Sequence, residues 1–342
     1  MTQAGCRTME SDTTASAART AGVLLVLGAG VLWSLNGALI KLIIEDGRGP
    51  SGVTIAFYRS LFAGLFLIPL VRGRARTLLA ADRLAESAGG DPAEMAAAPA
   101  AFPFPWRMRR SAMACVVFFT LMTLCFVVAN VKTEAANAII LQYTSTFWVF
   151  GLSPWLLGEH PRRKDLRTLI AAMAGVVIIF AGQATTDLAG LSIALAAGLF
   201  YGLLSMMIRR LRDADSAAVT VLNNLGSALL LLPLVAWMGE FVVSPRAFGL
   251  LLVMGVVQFG LPYYLFSLGM RSVPAYHGAL LTLIEPVLVP VWAYLAVGET
   301  VPRTTLIGGA MILGSLAWFL RNVRTAGTLP DESASKKGMD TA

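Results

Sequence analysis

LLTLIEPVLVPVWAYLAVGE, residues 280–299, is apolar enough to cross a bilayer, yet it carries a carboxylate at Glu285 and prolines at Pro286 and Pro290. A lone segment in lipid must satisfy its own backbone hydrogen bonds, so it reads as a helix. That helix places Glu285 about 12 residues, roughly 18 Å, from its outer end at 1.5 Å per residue. Near the midplane an acidic side chain costs about 2.5–3.5 kcal/mol on insertion scales. Pro286 cannot donate to the carbonyl of Thr282, nor Pro290 to that of Pro286. A charge beside freed carbonyls is tolerable where it faces protein or a wet cavity. The stretch belongs to the interior of a helical bundle.

The rest of the chain agrees. Its 342 residues are 56% hydrophobic and 14% charged, with a mean hydropathy of +0.70. Apolar runs near membrane-spanning length recur throughout, which predicts an all-α integral membrane protein. Ten transmembrane helices are expected, near 22–44, 52–71, 112–130, 134–156, 166–184, 188–208, 218–238, 248–269, 275–297 and 303–321. Residues 1–21 and 322–342 read as polar tails. No small-residue cleavage site follows the first run, so it is expected to stay as a span.

The net charge of +7 does not indicate nucleic acid. The cations gather in "RGRAR" (72–76), "RMRR" (107–110), "HPRRKDLR" (160–167) and "RRLR" (209–212). All four fall on one side if both termini are cytoplasmic, leaving only Arg48, Lys132, Arg246 and Arg303 outside. That is the positive-inside pattern of a multi-pass cell-membrane protein, expected in the bacterial inner membrane. Cys6, Cys115 and Cys125 have no metal spacing, and His160 and His277 are too few for a histidine site, so neither metal nor cofactor is expected. Residues 72–110 form one long cytoplasmic connection. Its centre, "AESAGGDPAEMAAAPAAFPFP", has the composition of a disordered tether.

The chain also repeats itself. "GVLWSLNGALIK" (30–41) aligns with "GLFYGLLSMMIR" (198–209), and "LFAGLFLIPLV" (61–71) with "LGSALLLLPLV" (225–235), setting Pro69 against Pro233. "GEHPRRKDL" (158–166) aligns with "GETVPRTTL" (298–306). Each unit holds five expected helices, an odd number, so the second enters the membrane upside down. The predicted organisation is two inverted repeats, 22–184 and 188–321, a device for alternating access around a midplane site.

The half-repeat endings "YTSTFWVFGLSPWLLGE" (143–159) and "LIEPVLVPVWAYLAVGE" (283–299), with "FYRSLFAGLFLIPL" (57–70), resemble the EamA-type drug/metabolite transporter superfamily. The resemblance covers residues 22–321; Thr146 departs from the proline that often follows "YTS" in such proteins. It implies a central cavity between the halves and export or exchange of small organic metabolites.

Several polar side chains are candidates for that pathway. Glu285 is either a cavity carboxylate, with a coupling proton as one role, or a clamp paired to another helix. Arg59, roughly 10 Å deep in the second helix, either pairs with Glu285, gates the pathway or snorkels. Trp33 and Tyr201 are repeat equivalents, and Asn36 follows Trp33 by one helical turn. Asn137, Gln142 and Tyr143 share the fourth helix, and Tyr264 ends the eighth; interhelical hydrogen bonds are the alternative for each. Pro286 and Pro290 break the ninth helix. With no HExxH, GxSxG or Walker-type phosphate loop, neither an enzyme nor direct ATP drive is expected. The expected function is secondary transport of a small-molecule, amino-acid-like solute. The alternative is a membrane receptor or scaffold acting through the long cytoplasmic connection.

Overall fold

A computed structural model describes residues 3–43, 49–87, 106–132, 141–179, 188–238, 241–297 and 303–326. They form helices joined by turns and short loops, without a strand. The helices are α1 (Gln3–Trp33), α2 (Asn36–Ile43), α3 (Gly52–Ser87), α4 (Trp106–Lys132), α5 (Ser145–Leu157), α6 (Arg163–Ile179), α7 (Leu188–Arg210) and α8 (Ser216–Met238). They continue with α9 (Pro245–Val253), α10 (Leu261–Gly269), α11 (Ala275–Leu281), α12 (Glu285–Val297) and α13 (Arg303–Ala326). A π-helical turn, Met254–Gly260, fuses α9 to α10, and a 3₁₀ turn, Thr282–Ile284, joins α11 to α12.

Among the described residues, six segments are long and apolar enough to cross a membrane: Ala17–Ile40, Gly52–Arg74, Met108–Phe126, Leu188–Arg210, Ser216–Met238 and Pro245–Gly269. Shorter apolar helices lie at Ala275–Val289 and Leu306–Asn322. α5 and α6, where spans are also expected, have 13 and 17 residues; residues 133–140 and 180–187, which belong to the same expected spans or border them, lie outside the described residues. The bundle turns large apolar side chains outward; Trp155 is 83% and Trp237 84% exposed. Such a surface suits lipid rather than water.

Several helices overrun their expected ends, α1 and α3 by the most. α1 starts at Gln3, inside the stretch read as a tail, and α3 continues to Ser87, inside the stretch read as a tether. Alanine, leucine and arginine dominate "RARTLLAADRLAE", and those are strong helix formers, so polarity there marks the end of the membrane, not of the helix. Residues 88–105 lie outside the described residues.

The main packing pairs are α4 with α7, α3 with α8, α6 with α13 and α1 with α10. The helix ends are set locally. Gly158 closes α5 in the left-handed conformation at φ 69°. Its N–H reaches Pro154 O at 3.2 Å, the single bond of an αL cap, and the Glu159 N–H reaches Ser153 O at 3.3 Å. Asp215 caps α8, accepting from the Ala218 N–H at 2.9 Å.

Candidate functional site

Three helices lose regularity at one level of the bundle, and the site lies between them. α1 stops at Trp33, where Ser34 Oγ donates back to Val31 O at 2.6 Å and accepts from Trp292 Nε1 at 2.7 Å. The α9–α10 rod widens at the π turn, where the Leu261 N–H bonds to Val256 O, five residues back. Gly255 and Gly260 lay that turn flat against α3. A Cβ on Gly255 would sit 2.6 Å from Phe62 Cβ and 3.0 Å from Arg59 O, and one on Gly260 would sit 3.0 Å from Ala63 Cα. The α11–α12 rod tightens at Thr282–Ile284, directly before Glu285 and Pro286.

Between these irregularities lies a cavity of about 100 Å³, lined by Trp33, Asn36, Arg59, Met122, Thr123, Phe126, Gln142, Tyr143, Tyr201, Gln258, Phe259, Tyr263, Glu285 and Val289. A single water needs only about 10–15 Å³ on this measure, so several waters or one small organic molecule fit. Its aromatic side is continuous: the Trp33 ring lies edge-on to Tyr263 at 4.9 Å and to Tyr201 at 6.3 Å between centroids, and Phe259 meets Tyr263 at 5.0 Å.

The polar side is unsatisfied. Trp33 Nε1, Asn36 Oδ1, Arg59 Nε, Thr123 Oγ1, Tyr143 Oη and Gln258 Oε1 are buried without a hydrogen-bond partner. Native proteins rarely leave such groups bare, and their concentration around one cavity marks a place where a guest or ordered water completes them. Arg59, 7% exposed, lies with its guanidinium carbon 4.3 Å over the Phe259 ring, a cation–π contact. No ion pair within 4 Å joins Arg59 to Glu285 among the described residues, although both side chains line the same cavity.

Of the residues singled out from the sequence, Glu285, Trp33, Asn36, Arg59, Gln142, Tyr143 and Tyr201 come together here. Tyr264 does not. Its hydroxyl accepts from Arg74 Nη2, and its ring lies 5.4 Å from the Arg74 guanidinium carbon. Its neighbour Tyr263 takes the cavity position, because adjacent helical residues point about 100° apart. Pro286 is buried in the first turn of α12, and Pro290 lies further along that helix. Asn137 lies outside the described residues. Gln258, Phe259 and Tyr263 had no sequence signal beyond being polar or aromatic in an apolar run, and the π turn that aims them has no motif.

A second polar cluster lies at the opposite end of α7 from Leu188. Arg209 Nε donates to Glu159 Oε1 at 2.7 Å, and its Nη1 reaches Met270 O at 2.7 Å and Arg271 O at 2.8 Å. Glu159 Oε2 accepts from the Ala275 N–H at 2.7 Å. One buried ion pair thus ties α5, α7, the α10–α11 turn and the start of α11. Beside it Asp165 Oδ1 faces His277 Nε2 at 3.6 Å, and Arg74 meets Asp215 at 3.3 Å. Arg209 lies about 12 Å along α7 from Tyr201, at 1.5 Å per residue. The cavity and this charged cluster occupy different levels of the bundle.

A polar cavity inside a polytopic helical bundle is the arrangement that a solute carrier requires. The sequence profile of the EamA-like transporter family matches this chain twice, over residues 20–181 and 188–321. An uncharacterised transporter of Archaeoglobus fulgidus is 32% identical over 215 residues, 62% of this chain and 77% of the relative. The uncharacterised transporter YwfM of Bacillus subtilis is 30% identical over 202 residues, 56% of this chain and 67% of its own length. A solved crystal structure shares the fold at TM-score 0.72 and 18% identity, across 90% of this chain and 99% of its own. The chain belongs to the EamA-like transporter family. It is a multi-pass membrane transporter, and its family implies a small-molecule substrate.

Proposed function

We propose that this chain is a secondary transporter of small, amino-acid-like zwitterions, working by alternating access between two inverted five-helix halves. The cavity carries the proposal. It combines one basic and one acidic side chain, unpartnered donors (Trp33, Thr123, Tyr143) and acceptors (Asn36, Gln258), and an aromatic wall, the complement of a solute with both charges and an apolar body.

Ten membrane crossings in two related halves fit the packing. Exchanging the halves pairs α1 with α7, α3 with α8, α4 with α9–α10, α5 with α11–α12 and α6 with α13. Under that exchange, α3 on α8 and α6 on α13 map onto themselves, and α4 on α7 becomes α10 on α1. The matched interruptions support the same pairing: the fourth helix breaks at Thr144, and its repeat equivalent, Ile284, lies in the 3₁₀ turn. The family profile also divides the chain near the same point. The Arg209–Glu159 seal then closes the cytoplasmic end in this conformation, with both termini on that side as the loop charges favour. Opening it while closing the far end completes a cycle.

The test is flux in proteoliposomes. Radiolabelled leucine, as a zwitterion probe, should enter protein-containing vesicles and be competed by other apolar amino acids. Glu285→Gln should fold and bind less tightly by about tenfold, the loss of one charge-assisted hydrogen bond. If Glu285 also carries a coupling proton, the variant exchanges solute but no longer accumulates it when ΔpH is imposed. Accumulation of leucine by Glu285→Gln to wild-type levels under ΔpH eliminates that proton role. Saturable transport of anions or cations alone, without zwitterions, overturns the substrate class.

A further inference from the structure

We propose that Gln258 is a selectivity residue of the transport site: its fixed side-chain carbonyl accepts a hydrogen bond from the solute and favours amines bearing N–H over permethylated cations. This rests on the zwitterion reading above and adds a distinction that charge alone cannot make. Glu285 attracts any cationic head, methylated or not, because its attraction is Coulombic. A neutral carbonyl oxygen rewards only a head that can donate.

The geometry holds that oxygen in place. Gln258 is 2% exposed, and its Nε2 donates to Trp33 O at 3.3 Å, beside the break after α1. An amide has one donor end and one acceptor end. Rotating it by half a turn would set Oε1 against the Trp33 carbonyl, acceptor to acceptor, so the orientation is determined by its partner. What remains at the cavity is Oε1, buried and without a partner. Asn36 Oδ1 and Glu285 line the same cavity, so acceptors from three separate elements (α2, the π turn and α12) border one space. The π turn is what presents Gln258; a helix of uniform pitch through 254–260 would rotate residues beyond the bulge around its axis.

The experiment compares L-leucine with its N,N,N-trimethyl derivative in the same proteoliposomes, reading KM and maximal rate for each. Wild type should favour leucine by at least about tenfold in KM, the factor expected for one buried hydrogen bond. Gln258→Met, similar in length and without an acceptor, should lose most of that preference while still transporting leucine. N,N-Dimethylleucine keeps one ammonium N–H, so wild type should handle it like leucine rather than like the trimethyl compound, which leaves a test if the methionine variant fails to fold. Equal KM values in wild type overturn the proposal. So does a folded Gln258→Met protein with the full preference, or a dimethyl compound that wild type handles like the trimethyl one, since cavity size would then set the discrimination. If wild type transports neither compound, the zwitterion reading itself fails, and this inference falls with it.

Discussion

Asp165 shows how one carboxylate outside the apolar spans can report on the closed end of the bundle. Burial pushes its carboxyl upward, but the His277 ring, the Arg162 N–H at 3.0 Å and the charge of Arg162 outweigh this, leaving it below the ordinary carboxylate value. A depressed carboxyl stabilises the fold fully above its unfolded value near about 4 and loses that contribution as pH falls through the folded value. Asp165→Asn should therefore unfold at lower temperature than wild type at pH 7, by on the order of 1 kcal/mol. The gap should shrink below about pH 4, measured by thermal unfolding in detergent across pH. A difference that persists unchanged at pH 3 would show that the carboxylate charge is not what matters. At this scale the sequence was readable where a residue type is costly. Glu285 and Arg59 announce themselves because lipid penalises them. Gln258 and Tyr263 do not, since their placement depends on a backbone bulge rather than on residue type, and Tyr264 stood out only for its place at the end of the eighth helix, which does not distinguish it from Tyr263.

Helices were legible from apolar runs, but their ends and interruptions were less so. α3 passes its expected end because its continuation is rich in helix formers, and hydropathy measures where lipid stops rather than where hydrogen bonding stops. The 3₁₀ turn beside Glu285 follows from the prolines after it, whereas the interruption at Thr144 has no nearby proline; there Thr144 Oγ1 donates to Leu141 O at 2.5 Å. The Arg209–Glu159 seal was hidden for another reason: "RRLR" and "GEHPRR" both read as loop charge, and only folding chooses which arginine turns inward. Removing one partner of a buried pair costs on the order of 3 kcal/mol. Arg209→Gln should accordingly loosen α5, α7 and α11 together. A cysteine replacing the buried Ala279 on α11 should then react at least about tenfold faster with a thiol reagent applied from the sealed side, equivalent to about 1.4 kcal/mol of opening. Arg209→Lys should be intermediate, because an ammonium cannot grip Glu159 and two carbonyls with a fixed fork. An unchanged labelling rate in Arg209→Gln would remove the seal from the transport cycle.

The whole molecule is where duplication and charge asymmetry combine. The proposed topology places Ser87, at the end of α3, and the α5–α6 connection on the cytoplasmic side. Single cysteines at Ser87 and His160 in a cysteine-free background should stay unlabelled by an impermeant thiol reagent in intact cells and label after permeabilisation. Labelling of either in intact cells would invert the topology and with it the assignment of the seal. The repeat was readable because its motifs recur in order, yet its energetic asymmetry was not. In sequence, Lys41 and Glu299 stand where Arg209 and Glu159 stand in the other half, so the two ends carry different cations.

The cavity's unpartnered atoms bear on timing as well as recognition. In the proposed cycle, an empty carrier changing sides takes Arg59, Tyr143, Gln258 and their neighbours through a closed state with water as the only partner available. A loaded carrier makes the same passage with those groups matched by its cargo. The return journey without a passenger is then the slow step, and a molecule with this interior works faster as an exchanger, swapping one solute for another, than as a one-way pump.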